Sequence, residues 1–332
     1  MGLASVPGCS GVAKAESDRA ARERDAPAGK MACAVAWLLT TGVVAGGLLA
    51  PWVHGALVRA GRQFPGLAEL RDLEFERVIS RCVLAVVVLG LIPMLRMSGV
   101  RRREAVGLGG GGSGYRDLAS GGGAGALAVL LLTATGWLAG VYEPAESISL
   151  SWASSLLPGL VAALAIATFE EVLFRGALFG GLRPVIGGGA AAVVCSAVFA
   201  LVHIATPEPT VGIAHAHWSA GLELLPDMFR MVHGGAFYLP YVGSLFLMGV
   251  ALCAMYVWRG SIWMGIGLHA GMIWMWLWVP RVLAPAQQSG LGDGSGPSGL
   301  VKSHSVFLCM LGLAVALALL AANQRGGKSC SA

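Results

Sequence analysis

Charged residues are scarce in this sequence. Of its 332 residues, 12% are charged and 56% are hydrophobic, and the mean hydropathy is +0.71. A soluble domain averages about 25% charged residues, so the composition excludes an ordinary soluble protein and indicates an integral membrane protein. The net charge of +5 comes from short basic segments that flank apolar runs. Orientation in a bilayer explains this placement more simply than a nucleic-acid partner does, so no nucleic-acid partner is expected.

Several motifs of known chemistry are also missing. The seven cysteines include no CxxC pair, so neither a disulfide framework nor a thiolate metal site is predicted. The HExxH motif of zinc proteases is absent. The letters of a serine-type GxSG motif occur at 111–114 and 296–299, and those of an aspartyl-type GxGD motif at 290–293. All three matches lie in Gly/Ser-rich polar stretches, which excludes them as intramembrane sites.

Long apolar runs are what the sequence has in abundance. They predict an all-α fold, a polytopic integral membrane helical bundle with about eight transmembrane helices, because about 20 apolar residues in helical form span a bilayer. The predicted spans are roughly 31–53, 78–95, 121–141, 153–180, 186–206, 240–258, 261–280 and 305–323.

The polar stretches divide these runs into five parts. The predicted parts are a disordered cytoplasmic tail at 1–30, with Met31 as an alternative start; N-terminal transmembrane helices at 31–145, with a flexible Gly-rich linker at 107–126; a membrane domain at 150–280; a flexible loop at 281–304; and a last transmembrane helix with a short tail at 305–332. Within the membrane domain, the connection at 206–239 mixes histidines with apolar residues and is predicted to be an interfacial or re-entrant segment.

Lysine and arginine are distributed unequally between the two sides of the predicted bundle. With eight spans, fourteen of them fall on the side of the N-terminus and eight on the other side. Basic residues are enriched in cytoplasmic loops. The sequence therefore predicts a multi-pass protein of the cell membrane with both termini in the cytoplasm.

The stretch ATFEEVLFRGAL at 167–178 places charges where lipid is expected. Glu170 and Glu171 are the only carboxylates inside a predicted span, and each charge at the centre of a span costs about 2.5 to 3.5 kcal/mol. Glu171 and Arg175 have the i,i+4 spacing of a helical ion pair. Glu170 points about 100° away from Glu171 and has no partner nearby in the sequence, so its helix is predicted to be buried among others.

Two histidines lie in later spans. His203 follows Phe199 by one turn in FALVH, and His269 lies in the middle of MGIGLHAGMIW. A single histidine in an apolar helix is more often a hydrogen-bonded packing residue than a catalytic one. Together with Glu170 and Glu171, however, the two histidines place four polar groups on three helices at compatible depth. The sequence therefore predicts one polar site in the membrane.

This set of residues is sufficient for peptide hydrolysis. A carboxylate in a dry pocket is a competent general base for a water molecule. A histidine within reach of that water can orient it or share its proton, and a second histidine or another donor can stabilise the oxyanion. The same buried acid and histidines could instead relay protons or bind a cation, so a polytopic transporter or immunity-type membrane protein is the alternative.

The motifs EEVLFR, FALVH and the histidine of the seventh span resemble the EExxxR, FxxxH and HxxxN/D motifs of the CAAX prenyl protease and bacteriocin-processing family. This is the family of the type II CAAX endopeptidases, also called Abi. The resemblance implies an intramembrane endopeptidase in which Glu170 activates water, His203 assists at the water and His269 acts on the oxyanion side. Glu171 and Arg175 would then be a supporting pair. A membrane-associated protein or peptide is the implied substrate.

One position departs from the family pattern. Ile273 stands four residues after His269, where the family has Asn or Asp, and the only asparagine of the chain is Asn323. A backbone N–H, a serine or the indole of Trp274 would have to supply the donor, or the oxyanion is stabilised more weakly. The cofactor is also left open by the sequence, because Glu170, His203 and His269 could hold Zn²⁺ as well as a bare water.

Overall fold

The computed structural model of the chain describes residues 9–100, 102–109, 112–145, 154–204, 217–224, 239–286, 310–315 and 317. Ten α-helices lie within these ranges: α1 (Cys9–Gln63), α2 (Phe75–Met97), α3 (Gly112–Leu138), α4 (Leu156–Glu171), α5 (Gly180–Ile186), α6 (Gly188–Ile204), α7 (Ala220–Glu223), α8 (Leu239–Arg259), α9 (Trp263–Trp276) and α10 (Val279–Val282). A π-helix, Val172–Phe179, joins α4 to α5, and two 3₁₀ helices cover Pro65–Asp72 and Arg103–Val106.

The predicted all-α membrane fold is confirmed, but the count of eight spans is not. Among the described residues, five helical stretches are long and apolar enough to cross a membrane: Gly29–Gln63, Phe75–Met97, Ser113–Leu138, Leu156–Ile186 and Leu239–Arg259. Gly188–Ile204 is a shorter apolar helix, and α9 has only 14 residues. The predicted last span at 305–323 lies mostly outside the described residues, of which 310–315 are helical.

A short antiparallel sheet joins the segments that follow α3 and α10. β1 (Tyr142–Pro144) follows α3, and β2 (Leu283–Pro285) follows α10; Glu143 lies opposite Ala284. The predicted flexible loop at 281–304 therefore begins with ordered residues, because β2 pairs with β1. The rest of that loop from 287 onward lies outside the described part of the chain.

Residues 9–30 differ from the predicted tail. They are helical and continue into α1, whereas the sequence analysis assigned them to a disordered segment. The stretch is rich in Ala, Glu, Lys and Arg, which are among the strongest helix formers. Low hydrophobicity, on which the prediction of disorder was based, therefore does not exclude a helix.

α1 and α2 form an antiparallel hairpin with glycines at the contact. A Cβ on Gly46 would lie 2.6 Å from the backbone of Val83, and a Cβ on Gly42 would lie 2.3 Å from the side chain of Val87. α7 packs against the next residue of α1, Gly47. A Cβ on Gly221 of α7 would lie 2.1 Å from the Gly47 carbonyl oxygen. Residues 217–224 of the connection predicted to be re-entrant thus pack on a membrane helix.

The Gly-rich segment at 107–126 is the clearest correction to the predicted organisation. From residue 112 onward it is not a flexible linker but the first half of α3. The helix forms because its glycines pack against α9: a Cβ on Gly121 would lie 2.2 Å from the Met264 carbonyl oxygen, and one on Gly125 would lie 2.1 Å from that of Leu268. Glycines spaced i,i+4 let two membrane helices approach closely, which offsets their low helix propensity.

Candidate active site

Four elements converge on one buried polar cluster. Glu170 and Glu171 end α4, and Arg175 lies on the π-helix that follows. His203 is the penultimate residue of α6, and His269 lies near the middle of α9. The structure thus brings all five predicted site residues together, although they are up to 99 positions apart in the sequence.

The Glu171–Arg175 pair is fully buried, as its spacing predicts. Arg175 Nη1 donates to Glu171 Oε1 at 3.0 Å, and the two side chains are 0% and 1% exposed. Arg175 Nη2 also donates to the Gly249 carbonyl oxygen at 3.5 Å, and the guanidinium carbon lies 4.5 Å from the centre of the Phe199 ring. A buried charge pair is stable only when further partners satisfy its remaining polar atoms, and Gly249 and Phe199 supply part of that environment.

His203 has a tautomer determined by the backbone of its own helix. Its Nδ1 lies 2.8 Å from the Phe199 carbonyl oxygen. Because a carbonyl oxygen can only accept, Nδ1 must carry the hydrogen, and in the neutral ring Nε2 carries the lone pair. Nε2 lies 3.4 Å from Glu170 Oε2. The Phe199 ring also lies against the imidazole, with centroids 4.2 Å apart.

His269 is anchored in the same way by a different group. Its Nδ1 lies 3.3 Å from Glu171 Oε1, and its Nε2 lies 3.8 Å from Glu170 Oε2. Glu171 therefore holds both Arg175 and His269. The two histidines present their Nε2 atoms to the same oxygen of Glu170, each with its Nδ1 held by a separate acceptor.

Exposure differs sharply across the cluster. The side chains of Glu170 and His203 are 17% and 26% exposed, whereas those of Glu171 and Arg175 are buried. α6 ends at Ile204, directly after His203. A reactant can therefore reach the cluster from the side of Glu170 and His203, with the ion pair behind them.

Two glycines that sequence reasoning did not single out contact the ion pair. Gly249 on α8 provides the carbonyl oxygen that Arg175 reaches, and a Cβ there would lie 2.7 Å from Ser196 Cβ on α6. Gly265 precedes His269 by four residues, and a Cβ there would lie 3.0 Å from Glu171 Oε2. The i,i+4 spacing of Gly265 and His269 was a visible signal that both face the same neighbour.

The structure shows the surroundings of Ile273, the residue that differs from the family pattern. Ile273 lies on α9 among the partly buried residues that pack against the core, and it offers no donor. The indole of Trp274, which the sequence analysis named as a substitute, donates to the Leu156 carbonyl oxygen at 3.1 Å. Leu156 begins α4, about 21 Å along the helix from Glu170. Trp274 is thus engaged elsewhere, and its assignment as the substitute donor is wrong.

A further property of the site is whether its side chains could hold a metal ion. Within the described residues, no group of three or more His, Cys, Asp or Glu side chains is arranged to hold a metal ion. The zinc alternative remains a prediction without structural support.

Comparison with known proteins agrees with the geometry. Residues 152–275 match the family model described as "Type II CAAX prenyl endopeptidase Rce1-like". No curated protein and no solved structure matches the chain. The matched segment contains all five residues of the cluster and, except for the last residue of α9, the helices that carry them. This segment of the chain is therefore similar to the Rce1-like type II CAAX prenyl endopeptidases.

Proposed function

We propose that the protein is an intramembrane endopeptidase that hydrolyses a peptide bond of a membrane-associated substrate with a water activated by Glu170. The observation that carries this proposal is the convergence of two histidine Nε2 atoms, at 3.4 and 3.8 Å, on one oxygen of a partly exposed carboxylate. Among the described residues, this oxygen is buried and has no hydrogen-bond partner, so a water bound beside it would satisfy a buried acceptor.

The nucleophile is a water placed between Glu170 and His203. Both Glu170 Oε2 and the Nε2 atom of neutral His203 accept hydrogen bonds, and they lie 3.4 Å apart. A water against both atoms would donate one hydrogen to each, which directs an oxygen lone pair toward the substrate. Glu170 then takes the proton as the oxygen attacks the carbonyl carbon, and returns it to the leaving amine.

His269 is assigned to the charge that develops on the carbonyl oxygen. Its Nδ1–H donates to Glu171, and this contact orients the ring and supports a positive charge on it, as a carboxylate does for the histidine of a serine protease. When Nε2 is protonated it becomes a donor toward the oxyanion. Ile273 adds no second donor at its position, so stabilisation of the oxyanion depends on fewer groups.

Glu171 and Arg175 act behind the reacting groups. Arg175 balances the charge of Glu171, and the Gly249 carbonyl oxygen and the Phe199 ring hold the guanidinium in place. The pair touches neither water nor substrate in this scheme. Both residues are positioning residues, whose effect is transmitted through His269 and Phe199.

The proposed mechanism has no step through a metal. Each step is assigned to a side chain of the described residues, among which no group of three or more His, Cys, Asp or Glu was found that could hold a metal ion. A chelator therefore should not reduce the cleavage rate. If a chelator abolished cleavage and zinc restored it, the glutamate mechanism would be wrong and the metal alternative correct.

The test uses the full-length protein in phospholipid vesicles. Because the matched family model is named for CAAX prenyl endopeptidases, the first substrate is a farnesylated peptide with a C-terminal CAAX sequence, followed by membrane-anchored peptides without the lipid. We expect Glu170→Gln to lower the cleavage rate by roughly 10²- to 10⁴-fold, the usual contribution of a general base. Thermal unfolding in detergent should change little.

Glu143→Gln is the matched control. Glu143 is an exposed carboxylate on β1, and its substitution should leave the cleavage rate unchanged. Cleavage by Glu170→Gln at the parental rate would refute the assignment of the base. Loss of cleavage in both variants would point to a general charge effect and not to the site.

A further inference from the structure

The two ends of the helical bundle differ in charge. One end, called here the basic end, contains the last turns of α2, α5 and α8 and the first turns of α3, α6 and α9. Its described charged side chains are seven bases and two acids: Lys30, Arg96, Arg102, Arg103, Arg116, Arg183, Arg259, Glu104 and Asp117. The opposite end has six of each: Arg59, Arg62, Arg71, Arg77, Arg81, Arg281, Glu69, Asp72, Glu74, Glu76, Glu143 and Glu223. Among the described residues, the excess of positive charge lies at the basic end.

The two acids of the basic end do not neutralise it. Asp117 is buried and pairs with Arg259, and Glu104 lies 3.6 Å from Arg103. Within the described part of the chain, no ion pair involves the remaining bases: Lys30, Arg96, Arg102, Arg116 and Arg183. All five are exposed. Among the described residues, they form a cationic surface without paired carboxylates.

Aromatic residues place this surface at the level of the lipid headgroups. Tyr115 is exposed and lies against the Trp263 ring, with centroids 6.5 Å apart. The Arg259 guanidinium lies over the Trp258 ring at 5.4 Å. Trp and Tyr are enriched at membrane–water interfaces, and the phosphates of anionic lipids are the negative groups available there. Charge and depth both point to lipid phosphate as the complement of the surface.

One turn of the basic end also contacts the elements that hold the catalytic residues. Residues 102–109, called here the arginine turn, expose Arg102 and Arg103. The Gly107 carbonyl oxygen accepts from the backbone N–H of Ile262 at 3.0 Å, and that of Gly109 accepts from the Trp263 indole at 3.0 Å. The arginine turn is therefore hydrogen-bonded to the start of α9, which carries His269.

The arginine turn reaches the π-helix as well. Val106 is buried, and a Cβ on Gly176 would lie 2.6 Å from the Val106 carbonyl oxygen. Gly107 has φ +81° and packs against Tyr256. A Cβ on Gly107 would lie 2.7 Å from the Tyr256 ring. Only glycine adopts this φ readily. Gly176 follows Arg175 directly, so a displacement of the turn is transmitted to the helix that holds the buried guanidinium.

We propose that the arginine turn binds the headgroups of anionic phospholipids and that this binding holds the π-helix and α9 in the arrangement that supports activity. The binding is independent of the catalytic assignment. The effect on activity rests on the proposed endopeptidase function. The two parts are therefore measured separately.

The binding experiment uses the full-length protein in phosphatidylcholine vesicles with and without phosphatidylglycerol. After mild detergent extraction, the phosphatidylglycerol that stays with the protein is quantified by mass spectrometry. Each arginine near a membrane surface adds about 1 kcal/mol of attraction, so the Arg102→Gln/Arg103→Gln variant should bind phosphatidylglycerol roughly 30-fold more weakly. The matched control is Arg59→Gln/Arg62→Gln, which removes the same charge from exposed positions at the opposite end and should retain the lipid like the parent.

The activity experiment compares cleavage rates in the same vesicles. We expect phosphatidylglycerol to raise the rate of the parent and of the Arg59→Gln/Arg62→Gln control, and to leave the Arg102→Gln/Arg103→Gln variant unchanged. Soluble glycerol phosphate should not reproduce the effect, because it lacks the membrane anchor. If it does, a free phosphate and not a lipid is the ligand.

Equal lipid retention in the two double variants would overturn the proposed binding site. Specific retention without any effect of phosphatidylglycerol on the rate would overturn the coupling to activity. If cleavage is absent in every sample while retention differs as expected, the endopeptidase assignment fails and the lipid site stands.

Discussion

The face of α9 that packs on α3 and the face that contacts Glu171 differ in how they would accommodate a larger side chain. Gly267 and Gly271 face α3, where a Cβ on either would lie 2.1 or 2.3 Å from a backbone carbonyl oxygen. Gly265 and His269 lie on the opposite side, about 200° away at 100° per residue, and face Glu171. The first face contacts rigid backbone and the second contacts side chains. Packing on one side therefore determines where the chemistry on the other side takes place.

The largest expected effect comes from the polar face. Arg175→Met should leave Glu171 buried without its cation, and breaking a buried pair in this way costs about 3 to 5 kcal/mol. Thermal unfolding in detergent measures the loss. The double variant Glu171→Gln/Arg175→Met removes both charges and should recover most of that stability. A double variant as unstable as Arg175→Met would show that packing, and not the uncompensated charge, dominates.

The glycine face gives the next effect. Gly125→Val places a side chain where the Leu268 carbonyl oxygen lies 2.1 Å from the Cβ position, so α3 and α9 must separate. Overpacking of this kind costs about 1 to 3 kcal/mol or more, and cleavage should fall because His269 moves with α9. Gly123→Val is the control, because no atom lies within 4 Å of its Cβ position. Equal unfolding temperatures for the two variants would contradict the role of the glycine contact.

A smaller effect distinguishes positioning from folding on the polar face. Gly265→Ala adds one methyl group 3.0 Å from Glu171 Oε2, so the carboxylate that orients His269 must shift by a few tenths of an ångström. We expect a several-fold lower kcat with little change in KM or in unfolding temperature. The control Gly189→Ala, where the Cβ position meets no atom within 4 Å, should match the parent. A change in KM alone would argue against positioning.

The smallest expected effect is a gain. Ile273→Asn restores an amide four residues after His269, on the same face of α9. Removal of an established oxyanion donor costs about 10²- to 10³-fold, but a donor added without supporting contacts should raise kcat only a few-fold. Ile273→Val is the apolar control and should have no such effect. A slower Ile273→Asn enzyme of unchanged stability would show that the position lies away from the oxyanion.

Prediction from the sequence worked where the physical signal is local. The cost of Glu170, Glu171 and Arg175 in an apolar helix is visible in the sequence, and the i,i+4 spacing correctly predicts the buried pair. Prediction failed for α3, because glycine content was taken as a sign of flexibility. Gly121 and Gly125 of α3 are spaced i,i+4, and so are Gly267 and Gly271 of α9. This spacing is a signal of close helix contact that is visible in the sequence.

The sequence by itself determined that the protein belongs in a membrane, that it is helical, and which ionisable residues need an explanation. Hydropathy and spacing along one helix depend only on neighbouring residues, so no fold is needed to evaluate them. Only the tertiary structure decided that both histidines present Nε2 to one oxygen of Glu170, that Gly249 provides a carbonyl oxygen to Arg175, and that Trp274 is engaged elsewhere. These contacts join residues on different helices, and their distances depend on how closely and at what rotation the helices pack.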